Sequence, residues 1–167
     1  MNEALLILRL VFGLLFAAHG AQKLFGWFGG HGLAGVSGFF ESLGFRPGRF
    51  FALAASLSET GGGLLIAAGL GGPIGPALAV AVMIVAAVTV HGKHGLFAAN
   101  NGIELPLLYG TAGAALALSG PGAFSLDALL GFTALSLPAV KAAILILGIA
   151  GGALHVAARR PAAQVTV

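Results

Sequence analysis

The sequence predicts an all-α integral membrane helical bundle, and three observations carry that prediction. Of the 167 residues, 58% are apolar and only 8% carry a formal charge, against about 25% charged in a typical soluble domain. The apolar residues come in runs near the roughly 20 that an α-helix needs to cross a hydrocarbon core of about 30 Å. The 28 glycines and 7 prolines include clusters between those runs, where such residues end helices. A water-soluble globule is excluded by composition alone.

The first span is predicted from Ala4 to about Phe25, with Arg9 well inside it and Lys23 near its end. A cleaved signal peptide is disfavoured, because no early basic region precedes the apolar run and the run continues past Ala21. Gly26 to Arg49 differs in character, with glycines, Trp27-Phe28 and Phe39-Phe40, and reads as a re-entrant or surface segment with a short helix over Ser37–Leu43. From Phe50 to Gly92 the only formal charge is Glu59, and the run breaks at Gly69-Leu70-Gly71-Gly72-Pro73. That pattern predicts a helical hairpin with spans at about Phe50–Gly69 and Ile74–Val90. A fourth span is predicted over Glu104–Ser119, ending at Gly120-Pro121-Gly122, and a fifth over Ala142–Ala158, ending at Arg159-Arg160. The expected organisation is a four-helix membrane domain over residues 1–128, a linker and additional transmembrane helix over 129–158, and a disordered tail over 159–167.

Eight Lys and Arg against five Asp and Glu are too few for a nucleic-acid-binding patch, so the expected partner is the lipid bilayer. With five spans, Lys23, Arg46, Arg49, Lys93, Arg159 and Arg160 fall on one side and Lys141 on the other. The positive-inside bias then puts the amino terminus outside and the carboxyl terminus in the cytoplasm. No cysteine is present, which excludes disulfide scaffolds, cysteine-ligated clusters and CxxC chemistry. Any electrons handled must therefore arrive from a partner subunit or from a substrate. No metal site is expected.

The informative residues are those that cost free energy in lipid. Arg9, His19, Lys23, Glu59, His91 and Glu104 lie in or at the edges of spans, where a charge costs from about 2.5 kcal/mol upward. At about 100° per residue, Arg9, His19 and Lys23 fall within an arc of roughly 80° on the first span. His19, Lys23, Glu59, His91 and Glu104 all approach one half of the membrane, which predicts a polar pocket opening to that half. Glu59 is expected to pair with Arg9, His19 or Lys23. Plainer readings stand beside these: Lys23 and Glu104 as residues that snorkel to headgroups, His91 as interfacial, His31 and His94 as solvent-exposed, and His155 as facing headgroups.

Leu8-Arg9-Leu10-Val11-Phe12-Gly13 followed by His19-Gly20-Ala21-Gln22-Lys23-Leu24-Phe25-Gly26 resembles the opening of the DoxX family of small bacterial membrane proteins. Gly38-Phe39-Phe40, Glu59 before Gly61-Gly62-Gly63, Thr89-Val90-His91, Gly95-Leu96-Phe97, Glu104 with Pro106-Leu107-Leu108, and Ser125-Leu126-Asp127 extend the resemblance over residues 4–128. It implies a four-helix DoxX-like core in the bacterial inner membrane, to which the fifth helix is an addition. For some members it also implies a link to membrane redox chemistry, in quinone-associated oxidoreductase complexes.

Two functions of different class follow. In the first, the chain is a redox-linked subunit: His19, Glu59 and His91 are the candidate catalytic residues, and Arg9, Lys23, Glu104, Phe12 and Phe16 form the substrate-binding slot. Quinone is the cofactor such a slot would accommodate, because reducing one consumes two protons with two electrons and so needs titratable donors beside an apolar surface. Haem held by His19 and His91 is disfavoured, since His91 has little apolar shelter. In the alternative, the chain is a non-catalytic accessory subunit whose buried ion cluster only locks the bundle.

Overall fold

The computed structural model describes residues 2–160; the tail expected to be disordered lies, from residue 161 onward, outside the described residues. Helix α1 spans Asn2–Phe25, α2 Gly32–Ser42, α3 Gly48–Ala68, α4 Ile74–Ala86, α5 Glu104–Ser119, α6 Leu126–Leu130 and α7 Pro138–Ala157. No strand occurs among the described residues, and the all-α membrane bundle is the fold. The α3–α4 hairpin turns where glycines end α3, with Gly69 at φ 65° accepting the left-handed conformation that a side chain would strain.

Among the described residues, four helices are long and apolar enough to cross a membrane: residues 2–25, 48–68, 74–94 and 138–157. Two expectations about length are revised by this. The carboxyl-terminal helix begins at Pro138 rather than Ala142, because proline suits a first helical turn, and it is a full-length span. Helix α5 has the predicted bounds, but its 16 residues make about 24 Å of helix, less than the roughly 30 Å core. It still runs from one end of the bundle to the other. Ala123 beyond its end donates to Asn2 Oδ1, while Glu104 at its start accepts from Ala98 N beside the end of α4.

The helix between the first two spans is longer than expected, Gly32–Ser42 in place of Ser37–Leu43. Three glycines in its first two turns weaken its sequence signal, and packing of Val36 and Phe40 onto Phe45, Phe51 and Ala52 supplies what propensity lacks. Helix α4 continues beyond Ala86 through a π turn at Ala87–His91 and a 3-10 turn at Gly92–His94. The consecutive β-branched Val88-Thr89-Val90 crowd a regular α-helix, and the Thr89 hydroxyl donates to the Val85 carbonyl at 2.8 Å.

The tightest helix pair is α1 against α3. Gly13 and Gly63 let the two backbones touch: a Cβ on Gly63 would sit 2.5 Å from the Gly13 carbonyl oxygen and 2.8 Å from Ala17 Cα. Phe12 and Phe16 of α1, Ile66 of α3, Ala79 of α4 and Leu116 of α5 form the central core. Helix α7 packs on α4, where Gly148 and Gly152 approach Ala77 and Ala81. Its end is tied down, with Arg159 Nε donating to the Leu43 carbonyl and Arg160 N to the Gly44 carbonyl. Arg159 and Arg160 are thus anchored, not part of a loose tail.

Candidate functional site

Glu59 sits in the middle of α3 with only 2% of its side chain exposed, and the Lys23 ammonium at the end of α1 donates to its Oε1. Helix α1 delivers Lys23 there because Gly13, Ala17 and Gly20 share its face, bringing that edge against α3. Oε2 of Glu59 and the hydroxyl of neighbouring Thr60 are both buried with no hydrogen-bond partner among the described residues. Of the three bases expected near Glu59, Lys23 is the one that meets it.

The same Lys23 lines a cavity of about 400 Å³ between α2, α3, α4 and α7. Val36, Phe39 and Phe40 of α2, with Leu43 just past its end, form one wall, and Val82 and Val85 of α4 with Val90 of the following π turn form another. The polar groups at the lining are Lys23, His31, Ser58, Thr89 and His155, and no Asp or Glu is among the lining residues. The π turn of α4 serves this site directly, because Thr89 and the adjacent Val90 both reach the cavity wall there.

The other residues expected at a shared pocket lie elsewhere. Arg9 is 2% exposed at the opposite end of the bundle, where its Nη2 donates to the Phe124 carbonyl. Its nearby acid is Asp127, whose two carboxylate oxygens accept from Gly71 N at 2.9 Å and Gly72 N at 2.6 Å. Arg9 is separated from Lys23 by 14 positions of helix, about 21 Å, so sharing a face did not mean sharing a site.

His19 is exposed on α1, its ring edge-on to Tyr109 at 6.4 Å. His91 Nδ1 lies 2.8 Å from the Asn101 carbonyl and so carries the proton, directing the ring to the loop after α4. Glu104 accepts from Ala98 N at 2.8 Å and closes that same loop. Phe12 and Phe16, expected to line an aromatic slot, are instead 5% and 1% exposed, stacked in the central core. Their apolar bulk is satisfied by Ile66 and Leu116, which leaves none of it for a ligand.

His31 and His155 line the cavity in place of these residues. His31 keeps the exposure predicted for it, at the rim. His155 does not face headgroups as expected; it is half-buried, edge-on to Phe51 at 5.2 Å. The signal was present, since His155 follows Gly152 by three residues and so shares the face that this glycine marks as the packing face. Asp127 is not among the expected site residues: an acid five residues after Gly120-Pro121-Gly122 and two after Ser125 reads as turn chemistry.

The DoxX family model matches residues 4–92, just over half of the chain. No curated protein and no solved structure gives a match. The matched segment holds both members of the Lys23–Glu59 pair and α1, α2, α3 and α4, which form most of the cavity wall. With its helical bundle, its membrane-length spans and this match, the chain belongs to the DoxX family.

Proposed function

We propose that this chain is the membrane-embedded subunit of a quinone-associated redox system, with the cavity receiving the ring end of a quinone. The observation that carries this reading is the position of Lys23, which is bonded to the buried Glu59 and also lines the cavity. A titratable pair therefore adjoins an apolar compartment inside the bundle. The volume of about 400 Å³ falls in the range of small-molecule sites, roughly 300–1,000 Å³. Apolar walls with a few donors match what a quinone ring requires, and the absence of acids among the lining residues suits its accepting oxygens.

A bound quinone would supply a two-electron, two-proton couple. The chain's own contribution is to exclude water with the α2 and α4 walls, to orient an accepting oxygen on Lys23 or Ser58, and to hold an exchangeable proton at the Lys23–Glu59 contact. With no cysteine in the sequence, the electrons come from a partner subunit or from a donor substrate. Six of the basic residues, Lys23, Arg46, Arg49, Lys93, Arg159 and Arg160, belong to the cavity end of the bundle. That supports a cytoplasmic cavity end in a bacterial inner membrane, with the amino terminus outside.

The test is mass spectrometry of lipids and quinones co-purified in mild detergent, with a pull-down for a redox partner. The expected result is quinone enriched over its share of the membrane lipids, reduced several-fold in Glu59→Gln. No enrichment in the wild type, or equal enrichment in the variant, overturns the reading. One observation favours a second reading, a non-catalytic accessory subunit: the pair bridges the two helices that already touch at Gly13 and Gly63, where it would lock their register. In that case Glu59→Gln weakens the fold and changes no ligand.

A further inference from the structure

We propose that α7 completes the cavity, with His155 a ligand-contacting residue that donates to an accepting oxygen of an amphiphilic molecule, and with the Arg159–Leu43 contact latching α2 over it. This deepens the reading of the same cavity and rests on that reading only for a quinone being the amphiphile. Three independent observations converge. His155 and Gly152 of α7 line the cavity, although α7 lies outside the matched residues 4–92. The α7 end is bonded to the carbonyls of Leu43 and Gly44, where α2 gives way to α3, and Leu43 is itself a lining residue. Among the described residues neither ring nitrogen of His155 has a hydrogen-bond partner, and the ring is instead held by Phe51.

The geometry fixes what the cavity would take. Lys23 and His155 come from helices packed on different neighbours, α1 on α3 and α7 on α4, so basic donors enter from two sides while the walls between are aliphatic and aromatic. A molecule with an apolar body and hydrogen-bond-accepting oxygens satisfies both. A quinone has this chemistry in its ring carbonyls, and a fatty acid has it in its carboxylate.

The experiment uses the full chain in lipid nanodiscs and two probes, a fully ring-substituted benzoquinone with a decyl tail, and oleate. Binding of the quinone is read by quenching of Trp27, the single tryptophan, and binding of oleate by its displacement of the quinone or by direct calorimetry. His155→Leu is expected to weaken binding of the occupant at least five-fold, with His155→Gln, which keeps a donor, restoring most of it. Arg159→Ala is expected to speed dissociation. Should His155→Leu fail to fold, His155→Cys supplies the chain's one thiol, and the occupant is expected to protect it from a maleimide. Wild-type binding that is equal in His155→Leu, or a thiol labelled equally with and without the occupant, overturns the α7 assignment and leaves the quinone reading standing. Oleate binding that depends on His155, without quinone binding, overturns the quinone reading and supports the α7 assignment. Binding of neither probe overturns both.

Discussion

Gly61 and Gly63 stand two residues apart on α3 and should respond oppositely to the same methyl group. A Cβ on Gly63 falls 2.5 Å from the Gly13 carbonyl oxygen, 0.9 Å short of the 3.4 Å at which ordinary contact begins, and the obstacle is backbone that no rotamer change can move. Helices α1 and α3 must therefore part by most of an ångström in Gly63→Ala. A gap of that size forfeits about a quarter to a half of the dispersion attraction of each contact flanking it. Overpacking of this kind costs about 1–3 kcal/mol, and the rigidity of both partners puts Gly63→Ala at the upper end. A Cβ on Gly61 meets nothing within 4 Å, so Gly61→Ala keeps only the gain of replacing a helical glycine, about 0.5–1 kcal/mol. The two variants should differ by about 3 kcal/mol in SDS-induced unfolding from mixed micelles, followed by Trp27 fluorescence. Midpoints that agree within about 0.5 kcal/mol would refute the backbone-contact argument for the α1–α3 pair.

Removing Lys23 should cost more than removing Glu59, because Lys23→Met strands a carboxylate that is 2% exposed while Glu59→Leu leaves an ammonium on a side chain 32% exposed. Breaking a buried pair costs about 3–5 kcal/mol, and the double variant should recover most of it; additive losses in the same unfolding assay would show that the two residues are uncoupled. Asp127→Ala leaves the Gly71 and Gly72 amides without their acceptor, at about 1–3 kcal/mol each. Amide exchange should accelerate at these two residues, and unchanged exchange would remove the carboxylate from its role in the hairpin. Because the chain has no cysteine, Arg46→Cys and Lys141→Cys give single thiols at opposite ends. An impermeant maleimide should label position 141 in intact spheroplasts and position 46 only after lysis, and the reverse pattern would invert the topology.

Helix positions were legible in the sequence wherever one signal ruled. The α3–α4 hairpin and α5 follow from apolar runs bounded by glycine and proline, and their bounds agree with expectation within a few residues. Helix α2 was half hidden because its glycines lower propensity, and its stability comes from Phe45 and Phe51, residues outside it. At the site, Glu59 was legible because a lone acid in an apolar run must find a partner. Its partner was narrowed to three bases but not chosen among them, since angular position on α1 does not encode depth relative to α3. Phe12 and Phe16 show the converse limit: an aromatic beside a polar face serves a core or a ligand equally well until the neighbouring helix is placed.

The hydrogen bonds that Asp127 makes to the α3–α4 turn, and the one that Arg9 makes to Phe124, cross from the matched segment to the part of the chain that follows it. A chain cut at Gly92 would hold a guanidinium deep in its first helix facing no carbonyl, and two amides at a hairpin bend facing no carboxylate. The shared stretch is thus not a portable module here. In this protein the matched stretch is a partial scaffold, finished by residues that follow it in the chain.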